Sequence, residues 1–338
     1  GGGNDFDGDN DDDDDFGGHQ LTREAFAELS ALRALSGRHP CIVPLLAAYP
    51  ASDPFGMGTS LSLAFPYCPA DLSDAIRRKR TERGRGGVIP DDVVRAVMTD
   101  VLSAIAHCHG RGVLHRDVKP GNFLIGYGGR VQLADFGLAK AAPSLLREES
   151  GGARGDGGTD APPPGPEPDD GAASHAICTL HYRPPETLFG STRSARAVDV
   201  WGAGLILAEL LTLRPLFPGR NVLDQAGRIF DALGTPNDRR WPGASDLPDY
   251  SRVRFDEREP SDWRTMVPRA GRSRYLEELL RVTVSLDPGD RPTAEGCLAL
   301  GWFGGSTGGR TASPSRVAEA LIPEGMRRVP TTALFSDA

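Results

Sequence analysis

The segment from residue 112 to residue 140, GVLHRDVKPGNFLIGYGGRVQLADFGLAK, concentrates polar side chains that could handle a charged ligand. Asp117, Lys119, Asn122 and Asp135 lie in or beside predicted loops that alternate with two short apolar strands. Strands fix such loops, and the loops aim the charges. Phosphoryl transfer needs a base for the incoming hydroxyl, cations on the phosphate oxygens and oxygen ligands for Mg²⁺. Asp117 could be the base, Lys119 could reach the phosphate, and Asn122 and Asp135 could bind magnesium.

Hydrophobic periodicity predicts the elements that would position these loops. A first helix begins near residue 22, and its apolar residues repeat every third position, at Phe26, Leu29, Leu32 and Leu35. Glu28 lies beside this stripe. A second helix from residue 90 to residue 110 should bury one face, formed by Val94, Val97, Val101, Ile105 and Cys108. His107 and His109 near its end are interpreted as helix-end residues rather than metal ligands.

The remaining elements are mostly helical, with a small strand-rich region near the N-terminus. Strands are predicted at 41–50, 59–67, 122–126 and 131–135. Further helices are predicted at 196–213, 222–234 and 274–286.

The amino-acid composition indicates the general class of protein. The 338 residues, 39% hydrophobic and 25% charged, are typical of a soluble globular protein. The net charge of −8 is matched by eight aspartates between residues 5 and 15, so the rest of the chain is neutral and no nucleic-acid partner is expected. Five scattered cysteines without a C-x-x-C pair favour reduced thiols in the cytoplasm or the nucleus. The longest apolar stretch contains Glu209 and is too short for a membrane span, so no membrane association is expected.

Two segments have compositions that do not support a packed core, and a third forms a C-terminal tail. Residues 1–18 are acidic and are expected to be disordered. Residues 141–173 form an insert rich in Pro, Gly and Asp. Residues 304–338 form a tail rich in Gly, Ser and Thr, which is expected either to wrap around the folded body or to extend into solvent.

The motifs together resemble those of the eukaryotic protein kinases, from about Thr22 to Phe303. HRDVKPGN at 115–122 resembles the catalytic loop, DFG at 135–137 the magnesium loop, and RPPE at 183–186 the end of the activation segment. In such kinases, Asp199 of DVWGAG would hold the catalytic-loop backbone, and Arg291 would pair with Glu186.

The resemblance implies an α+β, two-lobed, kinase-like fold. Residues 19–303 would be the kinase domain, with an incomplete N-lobe sheet at 19–67 and a helical C-lobe at 68–303. The insert 141–173 would then lie in the activation segment.

Within the family, LFPGRNVLDQAGRIFDALGTPNDRRWPG resembles the cyclin-dependent kinases, and LSLAFPYCPADL is similar to the cell cycle-related kinase branch. This resemblance implies a serine/threonine kinase that transfers the γ-phosphate of ATP, with Mg²⁺, to protein substrates that carry a proline after the phosphoacceptor. TREAFAELSALRAL resembles the helix that faces a cyclin, so a cyclin or cyclin-like activator is a candidate partner.

The same resemblance implies roles around the nucleotide. AFPYCPADL would be the hinge between the lobes. Phe65 would be the gatekeeper, the Pro66 carbonyl and the Cys68 backbone would bind adenine, Asp71 would reach the ribose, and Leu124 would form the floor. Thr179 would hydrogen-bond Asp117 and Lys119.

Regulation is implied at Ser174, which stands where cyclin-dependent kinases carry the activating phosphate. Arg116 and Lys140 would bind that phosphate. A third arginine, expected before Glu28, is Ala27 here, and the usual tryptophan after Thr179 is His181.

The lysine partner of Glu28 is not found in this sequence. Lys79, Lys119 and Lys140 all follow Glu28, and no Gly-rich loop precedes it. We therefore expect a truncated kinase whose missing loop and lysine lie upstream of Gly1, and expect residues 1–338 alone to be inactive. A pseudokinase scaffold is the alternative, although such a scaffold would not need Asp117, Asn122 and Asp135. A small-molecule phosphotransferase would not be expected to carry YRPPE.

Overall fold

The computed structural model describes residues 23–52, 59–82, 87–142, 179–191, 196–304 and 311–328. The acidic segment 1–18, Ser174 and most of the 141–173 insert lie outside these ranges, so the expectations about them stay predictions.

The smaller lobe of the described chain combines one helix with one hairpin. Helix α1 spans Arg23–Leu35. Strands β1 (Ala47–Ser52) and β2 (Thr59–Ala64) pair antiparallel, with Ala47 opposite Ala64. The predicted strand at 41–50 is therefore shifted, because Cys41 and Val43 instead exchange backbone hydrogen bonds with Leu133 of the larger lobe.

The predicted apolar stripe of α1 is only partly correct. Leu32 and Leu35 are fully buried, whereas Phe26 is 64% exposed. A spacing of three residues falls about 60° short of a full turn at each step. After three such steps Phe26 lies on the opposite side of the helix from Leu35.

The larger lobe contains the remaining elements. The helices are α2 (Leu72–Thr81), α3 (Asp91–His109), α4 (Pro185–Leu188), α5 (Arg196–Thr212), α6 (Val222–Leu233), α7 (Trp263–Met266), α8 (Arg274–Thr283), α9 (Ala294–Leu298) and α10 (Pro314–Leu321). The strands are β3 (Ala70–Asp71), β4 (Val113–Leu114), β5 (Phe123–Ile125), β6 (Val131–Leu133) and β7 (Lys140–Ala141). They form a sheet of order β3-β5-β6 and the antiparallel pair β4-β7.

Helices α3 and α5 pack together at the centre of this lobe. All five residues predicted for the buried face of α3 are fully buried. Helix α5 is buried on every side from Val198 to Leu211, as expected for a helix that is apolar all round. No helix within the described ranges is long and apolar enough to span a membrane.

Part of the predicted tail folds onto the larger lobe. Helix α10 packs against α3, and its residues Val317 and Leu321 are buried in the main core. The following Ile322 is buried as well. Residues 311–328 therefore extend the packed body, so this part of the tail wraps onto the lobe, which is one of the two outcomes expected from the sequence.

Candidate active site

Asp117 is the centre of the site and lies in the loop between β4 and β5. Its carboxylate accepts a hydrogen bond from Lys119 Nζ at 2.5 Å and one from Asn122 Nδ2 at 3.1 Å. Thr179 donates to it through its backbone N–H at 3.0 Å and its hydroxyl at 3.2 Å. Lys119 also donates to the Thr179 hydroxyl at 2.9 Å. The structure therefore brings together four of the predicted site residues.

The charge state of Asp117 follows from these contacts. Burial alone would raise the pKa of Asp117, but the bonds from Lys119, Thr179 and Asn122 together hold this pKa below its usual value. Asp117 is only 5% exposed and is ionised at neutral pH. A buried, ionised carboxylate with a lysine beside it can accept a proton while the lysine faces an anion.

The backbone of this loop is fixed by Asp199 on α5. Asp199 accepts hydrogen bonds from the N–H groups of His115 (3.0 Å) and Arg116 (2.7 Å). Arg116 has a φ of +65°, a conformation that is strained for a non-glycine residue. His109 Nε2 lies 2.8 Å from the same carboxylate, which is 1% exposed. Asp199 therefore holds the loop in its strained shape, the contact expected from the sequence.

The hairpin β5-β6 sets the positions of the two predicted magnesium ligands. Asn122 precedes β5 and Asp135 follows β6, so both lie at the same end of the hairpin, where the Ala134 N–H donates to the Asn122 carbonyl at 2.9 Å. The Asn122 side chain uses its nitrogen to bond Asp117, which leaves its oxygen for a cation. Asp135 is exposed and has a φ of +60°.

Glu28 on α1 faces this end of the hairpin. Burial raises the pKa of Glu28, and the nearby carboxylate of Asp135 raises this pKa further. Within the described chain, no salt bridge links Glu28 to a cation. A half-buried carboxylate with a second carboxylate in its surroundings is stabilised by a cation beside it.

The predicted hinge residues connect β2 to β3. Phe65 is half-buried and packs against the main core. The Pro66 carbonyl accepts a hydrogen bond from the Cys68 thiol at 3.8 Å. Burial raises the pKa of the Cys68 thiol, so the sulfur stays protonated at neutral pH.

Asp71 and Leu124 lie side by side behind the hinge. They are paired residues of the β3-β5 ladder. Asp71 is the N-cap of α2, where its carboxylate accepts from the Asp74 N–H at 2.8 Å. Burial raises the pKa of Asp71 despite this bond. The structure thus gives Asp71 a capping role, and its contact with a ribose remains a prediction.

A buried ion pair anchors the end of the segment that carries Thr179. Arg291 binds Glu186 through two parallel hydrogen bonds of 2.7 and 2.8 Å. The Arg291 guanidinium also lies over the Trp201 ring, 4.8 Å from its centroid. This bidentate pair, predicted from the motifs, fixes the segment to α5 and to the loop after α8.

Comparison with known proteins identifies this arrangement. The protein kinase domain family matches residues 11–303. The chain belongs to the protein kinase family. Because the matched residues cover most of the chain, the two-lobed α+β kinase fold is confirmed.

Two similar proteins indicate which branch of the protein kinase family this chain resembles. Cyclin-dependent kinase 20 from Danio rerio is 33% identical over 248 residues, which are 73% of this chain and 62% of that protein. The chain thus spans less than two thirds of the length of this curated relative. A chain in the structure of the CAK complex from Chaetomium thermophilum bound to ATP-gamma-S is 30% identical, with a TM-score of 0.69, and the match covers 86% of this chain and 80% of that one. The resemblance to the cyclin-dependent kinases is confirmed.

The residues that the sequence predicts for regulation lie only partly within the described ranges. Arg116 Nε donates to the Leu138 carbonyl at 2.8 Å, and Lys140 lies in β7. Because Ser174 lies outside the described residues, its phosphorylation remains a prediction. His181, at the position where a tryptophan was expected, lies 3.1 Å from the Gly219 carbonyl through Nε2. This contact joins the activation segment to the loop before α6.

Sequence reasoning missed two buried contacts of this kinase. His109 is the last residue of α3, as the sequence predicts, and it also contacts the carboxylate that holds the catalytic loop. Glu209 accepts a 2.6 Å hydrogen bond from the Tyr182 hydroxyl, which ties the end of the activation segment to α5. A buried glutamate in an otherwise apolar helix was the available signal for the second contact.

Proposed function

We propose that this chain is the core of a serine/threonine protein kinase that transfers the γ-phosphate of ATP to a serine or threonine followed by proline. The observation that supports this best is the set of contacts around Asp117, where one ionised carboxylate is held by Lys119, Asn122 and Thr179. A scaffold without catalysis has no chemical need for these contacts. Similarity to a cyclin-dependent kinase favours proline after the phosphoacceptor.

In the proposed reaction Asp117 accepts the proton of the substrate hydroxyl. The lowered pKa of Asp117 keeps the carboxylate ionised at neutral pH, so it is ready to accept this proton. Lys119 remains beside it and stabilises the negative charge of the transferring phosphoryl group. Thr179 holds both side chains in this arrangement.

ATP and Mg²⁺ are the proposed cofactors. Mg²⁺, when bound, neutralises charge on the phosphate oxygens. Asn122 and Asp135 fit this ion, since they offer oxygen ligands at one end of the β5-β6 hairpin, and the remaining ligands would come from nucleotide and water. Phe65, Pro66, Cys68, Asp71 and Leu124 are the proposed adenosine contacts.

Glu28 is proposed to pair with a lysine supplied from outside the described residues. Its half-buried carboxylate beside Asp135 is unfavourable without a cation. We propose that residues 1–338 alone transfer little phosphate, because the lysine and the Gly-rich loop that position ATP are not found in this sequence.

A cyclin-like activator is the proposed partner, with proteins as substrates. The similar chain of known structure belongs to a complex. Helix α1 exposes Phe26, an aromatic side chain that a partner could cover. Phosphorylation of Ser174, bound by Arg116 and Lys140, is proposed as a second activating step, in the cytoplasm or the nucleus.

The test compares residues 1–338 with the same chain extended by its upstream coding sequence, each with and without a cyclin-like activator. The extended protein should phosphorylate Ser-Pro peptides in a Mg²⁺-dependent way and Ser-Ala peptides poorly. Asp117→Asn should reduce turnover by about 10²-fold or more, whereas Asp256→Asn, at a carboxylate whose side chain is 91% exposed, should leave it unchanged. If the extended protein binds its activator but transfers no phosphate, the pseudokinase alternative is correct.

A further inference from the structure

The chain itself contains two sites of the Ser/Thr-Pro type. One is Thr235-Pro236, after α6, and the other is Ser313-Pro314, at the start of α10. The two sites share the dipeptide but differ in their surroundings. This difference determines which hydroxyl a kinase can reach.

Thr235 is locked in the fold. Its hydroxyl donates to the Asp256 carbonyl at 2.7 Å and accepts from the Arg258 N–H at 3.0 Å. Its own N–H donates to the Arg258 carbonyl at 3.1 Å, and Pro236 is buried. Phosphorylation of Thr235 would therefore require this pairing to open.

Ser313 is accessible. Ser313, Pro314 and Ser315 are all exposed, and Ser313 has an extended backbone just before the helix. The Ser313 hydroxyl accepts a long hydrogen bond of 3.4 Å from the Arg316 N–H and lies 2.9 Å from the Ser315 hydroxyl. Both contacts are exposed and local, so a kinase can bind this segment once the first turn of α10 opens and the Ala312 N–H releases the Asp92 carbonyl.

We propose that Ser313 is a phosphorylation site for a proline-directed protein kinase and that its phosphate strengthens the docking of residues 311–328. In the reaction the Ser313 Oγ forms a bond to the γ-phosphorus of ATP. The bond from that phosphorus to the bridging oxygen breaks, ADP leaves, and the hydroxyl proton passes to the kinase. The kinase in this reaction is a separate protein. The proposal rests on the exposure and the sequence of Ser313 and does not depend on the activity proposed above for this chain.

The position of Ser313 determines the effect of the phosphate. Ser313 is the N-cap of α10, where the free N–H groups and the helix dipole favour an anion. Arg316, three residues on, already pairs with Asp92 of α3 at 2.6 Å and has further N–H groups to offer. Asp92 opposes the phosphate, but its charge is balanced by this arginine. The phosphate therefore stabilises the first turn of α10.

The first turn is also where the tail meets the lobe. A Cβ placed on Gly129, in the β5-β6 turn, would lie 1.7 Å from the Pro314 carbonyl oxygen. Ala312 N–H donates to the Asp92 carbonyl at 3.1 Å. Tyr127, in the same turn, lies 6.3 Å from the ring of the hinge residue Tyr67. A phosphate that orders this turn therefore fixes the tail directly behind the hinge.

The modification is tested on the full chain with a purified, active proline-directed kinase and ATP, followed by mass spectrometry of the sites. Ser313 should be labelled at least about tenfold faster than Thr235, since exposing Thr235 breaks hydrogen bonds that Ser313 lacks. Synthetic peptides around the two sites should be labelled at similar rates. Ser313→Ala should abolish the fast label, and Ser315→Ala, an equally exposed serine without a following proline, should retain it. Slow labelling of Ser313, or equal labelling of Thr235 in the folded chain, would overturn the assignment.

The effect on docking is tested by amide hydrogen exchange of the labelled and unlabelled full chain. The amides of residues 317–321 should exchange about two- to fivefold more slowly after labelling, the change expected for an anion at a helix N-terminus. Labelled Ser315→Ala protein should show the same slowing, and kinase-treated Ser313→Ala protein should show none. Unchanged or faster exchange in the labelled wild-type chain would refute the stabilising effect.

Discussion

Replacement of Asp199 by asparagine tests how α5 controls the catalytic loop. The carboxylate accepts three hydrogen bonds with both oxygens: His109 Nε2 and the His115 N–H on Oδ2, and the Arg116 N–H on Oδ1. Asparagine offers one acceptor oxygen, and its NH₂ group cannot accept. In either orientation at least one buried N–H loses its partner and faces another donor.

The magnitude follows from these contacts. A buried donor left without a partner costs about 1–3 kcal/mol, and the remaining bonds lose their charge assistance at about 1 kcal/mol each. Asp199 is 1% exposed, so water cannot replace the lost bonds. The free energy of unfolding should fall by about 3–5 kcal/mol. Part of the loss should appear locally, because Arg116 would no longer be held at a φ of +65°.

The assay combines urea unfolding with amide hydrogen exchange. Residues 115–117 should exchange at least about tenfold faster in Asp199→Asn, since one lost charge-assisted bond is worth more than 1.4 kcal/mol. Asp100→Asn is the matched control, because Asp100 is also buried and also accepts a backbone bond, from Val131 at 3.0 Å, away from the loop. It should lower stability without speeding exchange at 115–117. Equal exchange of the loop in the two variants, or a loss under 1 kcal/mol in Asp199→Asn, would refute this reasoning.

Further predictions concern other parts of the fold. Glu186→Gln leaves the charge of Arg291 buried without its partner, so urea unfolding should show a loss of about 3–5 kcal/mol, and a loss under 1 kcal/mol would contradict this. Gly129→Ala places a methyl group against the first residue of α10, so amides of α10 should exchange faster. In contrast, Gly227→Ala, which meets no atom within 4 Å on helix α6, should stabilise the chain by about 0.5–1 kcal/mol. Burial raises the pKa of Glu209, so the folded state keeps this proton to a higher pH than the unfolded state, and ionisation lowers stability as pH rises through the raised pKa. Glu209→Gln should therefore gain stability relative to wild type between pH 4 and pH 8 in thermal unfolding, and a constant difference would count against the shift.

Local patterns predicted those parts of the fold in which packing depends on neighbours in sequence. The buried face of α3 was predicted in full, because Val94 to Cys108 recur close to the helical period. Phe26 was placed on the wrong face of α1, because a strict spacing of three drifts around a helix. The strand predicted at 41–50 was shifted, because its first residues pair with β6, which lies 90 residues further along the chain.

In the candidate site, too, contacts between neighbours in sequence were predictable and contacts between distant residues were not. Asp117, Lys119 and Asn122 lie within six residues, so their motif predicted a common site, and the structure joins them through hydrogen bonds. The contact of His109 with Asp199 spans 90 residues. A single histidine at a helix end carries no local signal of such a distant partner. Contacts of this kind depend on how α3 and α5 pack, which periodicity does not specify.

The surroundings of Glu28 bear on whether this chain belongs to a catalytic kinase or to a pseudokinase. From the sequence, a glutamate without a lysine indicated either an upstream partner or a scaffold. The structure adds that this carboxylate is half-buried and close enough to Asp135 for the two charges to oppose each other. A half-buried carboxylate near a second carboxylate is unfavourable unless a cation reaches it, and Mg²⁺ and a lysine are the cations that the proposed reaction would bring to this place. A scaffold that only binds partners has no chemical need for a cation at this place, so the two acids support the proposed catalysis over the pseudokinase alternative.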